Sequence, residues 1–293
     1  MFRPLLSAVV DLSKIKYPVL VSPKFDGIRC LIQDGKAVTR SLKSIPNLYV
    51  KQQLAIISNL GLDGELIVGS PTNPNCMQVT SSGIMSHNGK PDFSYYVFDY
   101  ANDLYIKDKI PFFIRLLAIR EVCPILPSFV KFVEHGLIKN EDELLRYEEE
   151  MVSLGYEGVM VRDFNGIYKT GRSTVNEGIL LKMKRFIDEE ASIIGFEERL
   201  HNSNDQSLDE RGYSKRNQRK DGMIPTDTLG AIIVYSSKWG EFNIGSGFDD
   251  IQRQEIWDNQ DFYLGKQVTF KYQSHGVKDK PRMPIFKSFR EDI

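Results

Sequence analysis

Read as alternating apolar and polar positions, the chain changes texture near residue 185. Before that point short apolar runs alternate with helical patterns. Val19 to Val21 and Ile28 to Ile32 read as two short strands. Asn140, followed three residues later by Glu143, reads as a capping box. The helix it opens places Leu144, Tyr147, Met151 and Leu154 on one face. GVMVRD (158–163) and GILLKMKR (178–185) then read as strands. The parallel strand–helix–strand rhythm of a doubly wound sheet is missing, so the pattern predicts an α+β domain over residues 1–185 built on a central antiparallel sheet.

After residue 185 come ASIIGFEE, TLGAIIVYS, EFNIGSG, KQVTFKYQS and RMPIFKSF, five strand-like segments with one helical stretch, DDIQRQEIWDN, before the fourth. That count predicts a small OB-type barrel over residues 186–293, with a two-sheet sandwich as the alternative. Between the first two of these strands lies a polar insertion, residues 200–227, of a length that compact domains reserve for function or disorder.

Composition changes this picture little. The chain has 293 residues, room for two domains, and 38 basic against 39 acidic residues, so net charge announces no polyanionic partner. No apolar run reaches membrane-spanning length and the N-terminus lacks a secretory core, which leads to the expectation of an intracellular protein with no membrane partner. Three dispersed cysteines and four histidines argue against a disulfide framework and structural zinc.

The candidate chemistry lies in short motifs. KFDGIR places Lys24 and Arg29 around an Asp-Gly pair that could turn a simple hairpin without either of them. DGE supplies Glu65, VFDY ends an aromatic strand at Phe98, EGVMVRD begins at Glu157, and KMK sets Lys182 and Lys184 two apart, pointing the same way on a strand. TRSLK holds Arg40 and KTGRST holds Lys169 and Arg172. RGYSKRNQRK carries five basic residues, Arg211, Lys215, Arg216, Arg219 and Lys220, with no acid and one aromatic.

In this order the motifs resemble the covalent nucleotidyltransferase superfamily, and within it the ATP-dependent DNA ligases, most nearly the minimal ligases of large algal viruses of the Chlorella virus type. The resemblance runs from KFDGIR to PRMPIFKSFRED, nearly end to end. It implies a nucleotidyltransferase domain followed by an OB-fold domain, ATP as substrate, and a monomer that encircles nicked duplex DNA. It makes Lys24 the nucleophile that carries AMP, with a pKa lowered by Lys184, Arg29 and a bound cation. Phe98 would stack on adenine, and Arg29 would contact the ribose or the nick end. Lys182 and Lys184 would balance phosphate charge. Glu157, with Glu65 and Asp26, would hold Mg2+, or Mn2+ in its place.

Arg40, Lys169 and Arg172 would grip the 5′-phosphate of the nick. The basic segment would be a latch around DNA. Arg282, Arg290 and Asp292 would form the C-terminal motif that orients pyrophosphate. Two local features depart from the commoner pattern: Leu42 stands where many larger ligases have glycine, and the chain ends Asp292-Ile293 without a lysine. Related readings are a GTP-using capping enzyme and an RNA ligase. From a different class comes an inactive nucleic-acid-binding module, against which Lys24, Glu157, Lys182 and Lys184 all argue.

Overall fold

The computed structural model describes residues 3–209, 214–217, 219–273, 275, 277 and 279–290, with the backbone alone at Leu208, Ser214, Lys215 and Lys220. The chain separates into two compact units, the first running to Lys184 and taking in the short segment that starts at Leu208, the second comprising Arg185–Ser207 and resuming at Ser214.

The first unit contains two five-stranded sheets. In chain order its strands are β1 (Ala8–Val9), β2 (Val19–Pro23), β3 (Ile28–Gln33), β4 (Lys36–Thr39), β5 (Leu62–Val68), β6 (Phe93–Tyr100), β7 (Val130–Phe132), β8 (Gly136–Ile138), β9 (Gly158–Asp163) and β10 (Leu180–Lys184). One sheet runs β1-β10-β9-β2-β8 and the other β4-β3-β5-β6-β7. Each is antiparallel except for one edge pair, β1 with β10 and β6 with β7. A single central sheet is thus replaced by two. The Asp-Gly pair does not turn a hairpin either, because β2 and β3 belong to different sheets and residues 24–27 carry the chain from one to the other.

Its α-helices are α1 (Leu48–Leu54), α2 (Cys76–Met85), α3 (Asp103–Lys107), α4 (Phe112–Val122) and α5 (Glu141–Ser153). Alternate residues of β3, β5 and β6 (Ile28, Cys30, Ile32, Leu62, Leu66, Phe93, Tyr95, Val97) join Val50 and Leu54 of α1, Ile84 of α2 and Ile119 of α4 in one core. The period of two sends their neighbours Arg29, Glu65 and Phe98 to the opposite face. On the other sheet, Val19, Val21, Val159, Val161 and Leu181 pack against Leu144 and Met151 of α5. This helix ends at Ser153, one residue short of the last position of the apolar pattern. Leu154 is its C-cap, 54% exposed, and Glu148 takes the buried place on that face instead. The Asn140 side chain caps Glu143 N–H at 2.9 Å, whereas the Glu143 carboxylate accepts from Lys139 N–H rather than from Asn140 N–H.

The second unit holds β11 (Phe186–Asn202), β12 (Gln206–Leu208), β13 (Ser214–Arg216), β14 (Met223–Ser236), β15 (Gly240–Ile244), β16 (Gln267–Gln273) and β17 (Arg282–Phe289). All five segments anticipated from the sequence lie in a sheet of order β15-β14-β11-β16-β17. A parallel bridge between Ser246 and Ile285 links its two ends, which makes the sheet a barrel and not a sandwich. Ile193, Ile232, Val234, Ile244, Val268, Phe270 and Phe286 fill it. Two helices, α6 (Asp250–Asp258) and α7 (Gln260–Tyr263), stand where one was expected. The described parts of the polar insertion include strand as well as loop. β11 runs on to Asn202 and pairs with β14 from Met223, and β12 pairs with β13. None of the helices in the described residues is long and apolar enough to cross a membrane.

Candidate active site

Lys24 lies just past the end of β2, where its own N–H donates to the Gly158 carbonyl at 2.8 Å and its carbonyl accepts from Glu157 N–H. Two more residues fix this turn. The Phe25 ring stacks on Tyr96 at 4.6 Å and meets the edge of Tyr156. Gly27 passes so close to β5 that a Cβ there would stand 2.4 Å from both the Leu66 carbonyl oxygen and Ile67 Cδ1. The glycine of K-x-D-G is therefore required by close approach, not by a left-handed turn.

Glu157 is the centre of the site. One carboxylate oxygen accepts from Lys24 Nζ and the other from Lys184 Nζ. Gly158, at φ +151, lets this corner pass against β10, where a Cβ would lie 2.2 Å from the Met183 carbonyl oxygen. The β9–β10 register sets Lys184 opposite Gly158 and Lys182 opposite Met160, so the two lysines share one face as their spacing requires.

The electrostatics follow from this bridge. Burial pushes the Glu157 carboxyl up, but Lys24 and Lys184 outweigh it and hold the group below the ordinary carboxylate range. Lys24 goes the other way from expectation. Burial alone would lower its pKa, yet Glu157, with Glu65 and Asp26 behind it, holds the ammonium above the ordinary lysine value. Lys184 and Lys182 are lowered, first by burial and then by neighbouring cations. The expected depression of Lys24 rests on its cationic neighbours, whereas the carboxylates around it outweigh burial here. Glu65, paired with Arg29 across β5 and β3, is pushed up to about 7 by burial, with Asp26 and Asp63 adding to the rise.

Behind the lysines lies a buried polar layer. Asp63 accepts from Arg29 Nη2 at 2.6 Å and from the Tyr168 hydroxyl at 2.8 Å. Asp99 accepts from Arg115 Nε at 2.7 Å and Arg162 Nη1 at 2.6 Å. The Arg29 guanidinium sits 4.8 Å from the centre of the Phe98 ring. Bidentate and paired in this way, the arginines give the cleft a fixed geometry more than a gain in stability.

The structure thus brings Lys24, Glu157, Lys182 and Lys184 together, with Asp26 and Glu65 close enough to bear on Lys24 and with Arg29 and Phe98 alongside. Arg40 lies in the turn after β4. There Leu42 takes φ +63, the left-handed conformation that glycine adopts freely, so the departure in residue type leaves the turn shape intact. Lys169 is in an ion pair with Glu177 at 2.7 Å, and Arg172 is exposed with Nη1 donating to the Ser7 carbonyl at 2.7 Å.

In the second unit Arg282 Nη1 donates to the His275 carbonyl, and Arg290 pairs with Glu190. Arg216 donates to the Asn204 carbonyl, and the Arg219 carbonyl accepts from Asn204. Arg211 and Asp292, with the side chains of Lys215 and Lys220, lie outside the described residues. Among the described residues, no three His, Cys, Asp or Glu side chains are grouped to hold a metal ion.

Sequence reasoning passed over Phe25, Asp63, Asp99, Arg115, Arg162 and Tyr168. Asp63 and Asp99 lie inside the DGE and VFDY motifs, so the signal was present. Arg115 lies in a helix whose pattern gives no hint that its side chain is fully buried.

Residues 5–184 match the family described as ATP dependent DNA ligase domain, and residues 225–290 match the DNA ligase OB-like domain. A solved structure of Chlorella virus DNA ligase-adenylate is 34% identical, with 100% of this chain and 99% of that chain covered and a TM-score of 0.56. A DNA ligase of Haemophilus influenzae is 23% identical over 270 residues, 91% of this chain and 85% of its own. African swine fever virus DNA ligase is 36% identical over 69 residues, which is 24% of this chain and only 16% of the length of that relative.

Proposed function

Because the chain belongs to the ATP-dependent DNA ligase family, we propose that it seals 3′-OH/5′-phosphate nicks in duplex DNA through three successive phosphoryl transfers, with Lys24 as the covalent carrier of AMP. In the first, Lys24 Nζ attacks the α-phosphorus of ATP. A P–N bond forms, the P–O bond to pyrophosphate breaks, and the ammonium proton passes to solvent. In the second, an oxygen of the DNA 5′-phosphate attacks the same phosphorus and frees the lysine. In the third, the 3′-OH attacks the 5′-phosphorus and expels AMP.

The observation that carries this reading is Glu157 bridging Lys24 and Lys184. Lys24 comes to the carboxylate from 133 residues away and Lys184 from 27. An amine must lose its proton to attack. In this pocket the ion pair with Glu157 opposes that loss, so whatever draws Glu157 from Lys24 leaves burial and the Lys184 charge free to favour the neutral amine. Lys182 and Lys184 then supply fixed positive charge where charge develops on the α-phosphate. Phe98, with Arg29 beside its ring, offers an aromatic surface for adenine.

The described residues hold no ready-made three-carboxylate ligand set, so a divalent cation enters this reading through the family and would be held largely by its own water. Glu65 is raised to about 7 by burial, against the lowering effect of Lys24 and Arg29, and it is a hard oxygen donor beside the lysines. Glu65, Asp26 and Glu157 would hold Mg2+, which keeps much of its water shell and needs few protein ligands. Bound there, it would neutralise phosphate charge.

For the DNA, the reading takes Arg40, Lys169 and Arg172 as contacts to the nick phosphate, and the basic residues of the insertion as contacts to the duplex. The exposed pair of Lys169 with Glu177 is of the kind that exchanges partners at little cost. The test is nick sealing. Lys24→Ala is expected to lose sealing with ATP while keeping measurable sealing of a pre-adenylylated nick. Sealing with ATP at the wild-type rate would overturn the reading.

A further inference from the structure

Just before β1 the chain runs beside the turn that carries Arg172. Leu6 N–H donates to the Gly171 carbonyl at 2.9 Å, and the Leu6 carbonyl accepts from Ser173 N–H at 2.8 Å, which bridges Leu6 to Arg172 in parallel. A residue bonded through both backbone groups to one side leaves those of its two neighbours turned to the other. Both neighbours hold functional side chains. The Ser7 carbonyl accepts from Nη1 of the exposed Arg172 at 2.7 Å. The Leu5 carbonyl accepts from Arg29 Nη2 at 3.3 Å, and Leu5 N–H donates to the Tyr168 hydroxyl at 3.3 Å.

Tyr168 in turn donates to the Asp63 carboxylate, which accepts from Arg29 Nη2 at 2.6 Å. Leu5, Tyr168, Asp63 and Arg29 therefore close a ring of hydrogen bonds within the first unit. The Leu5 side chain anchors the ring, buried with Leu31, Ala101, Tyr168 and Leu180. The same run continues as β1 along β10, with Val9 opposite Lys182 and Val10 N–H on the Lys182 carbonyl at 3.0 Å. Two arginines given to different parts of the substrate thus end on carbonyls two residues apart in one short segment. A guanidinium aimed before its phosphate or sugar arrives loses less freedom on binding.

We infer that residues 5–7 are a positioning strap, which holds Arg29 at the adenylate pocket and Arg172 at the nick 5′-phosphate in one register. The inference rests on the reading of those two arginines given above and adds what ties them together. Tyr168 is a positioning residue in it. It acts on Arg172 through Leu5 and not by touching DNA.

The test uses full-length protein incubated with ATP and Mg2+ and then freed of both. The quantity read is the ratio of its affinities for a nicked duplex with a 5′-phosphate and for the same duplex with a 5′-hydroxyl at the nick. Tyr168→Phe keeps the buried ring and cuts the link from Asp63 to Leu5. It is expected to lower the ratio about fivefold, the effect of one net hydrogen bond. Unfolded protein binds neither duplex, so lost folding alone leaves the ratio at its wild-type value. In an Arg172→Gln background the ratio is already low, and Tyr168→Phe should lower it no further. Leu5→Ala loosens the strap from the core and should act as Tyr168→Phe does, while Leu5→Met, close in volume, should restore the ratio. A wild-type ratio in Tyr168→Phe, or effects of Tyr168→Phe and Arg172→Gln that multiply, overturns the strap. Should Tyr168→Phe not fold, Leu5→Ala set against Leu5→Met decides on the same ratio. A wild-type protein that binds both duplexes equally overturns the placing of Arg172 on the nick phosphate, the reading beneath the strap.

Discussion

At the scale of single residues the outcome turns on Glu157. The sequence placed Lys24 among cations and so led to a depressed pKa, but a buried carboxylate shared by two lysines raises it instead. The position of Glu157 was legible from E-G before an apolar run, while its contact with Lys24 depends on a crossing between strands that no local pattern encodes. Glu157→Gln should therefore shift the pH profile of Lys24 modification by an amine-selective acylating reagent to lower pH. Burial and Lys184 remain while the opposing charge is gone. An unmoved or raised midpoint would contradict this.

Glu65 offers a second titration. Its carboxyl is raised in the fold from 4.5 to about 7, so its contribution to stability is complete below pH 4.5 and is lost as pH rises through about 7. Glu65→Gln does not titrate, so its stability relative to wild type should rise between those values by up to about 3 kcal/mol. Urea unfolding at pH 5 and pH 8 measures the difference, and equal values at both pH values would refute the raised carboxyl.

Among the elements, those with their own apolar period were the most legible. The α5 face, the GVMVRD and LLKMK strands and the five strands of the barrel all read out locally, since a sheet or helix face must be apolar to be buried. What escaped was partnership. Two strands separated by Asp-Gly look like a hairpin, and only the packing of Gly27 against β5 shows that they diverge. The insertion at 200–227 reads as loop because its residues are polar, yet β11 and β14 extend into its two ends by backbone pairing, which needs no apolar face. The buried layer of Asp99, Arg115 and Arg162 joins β6, α4 and β9, and it is invisible to periodicity for the same reason. Asp99→Asn would leave two guanidiniums in the interior without their counter-charge. A loss of about 3 to 5 kcal/mol is expected, read from the urea midpoint, and a loss under about 1 kcal/mol would mean that the pairs are not as buried as the structure has them.

On the scale of the whole molecule, the chain divides chemistry and core between two units. Lys24, Glu157, Lys182 and Lys184 all belong to the first, and both tryptophans, Trp239 and Trp257, pack against the core of the second. Tryptophan fluorescence therefore reports unfolding of the barrel alone. Phe270→Ala, which empties a fully buried ring site in that core, should destabilise the fluorescence-detected transition by about 3 to 5 kcal/mol. An unaltered transition would place Phe270 outside the core. The central claim is that Lys24 carries AMP, and the most direct measurement is incubation of wild type and Lys24→Ala with Mg2+ and α-labelled ATP, with α-labelled GTP in parallel, followed by a denaturing gel. The account predicts an acid-labile label on the wild type from ATP alone and none on the variant. A label from GTP, a label that survives Lys24→Ala, or no label on the wild type would contradict it.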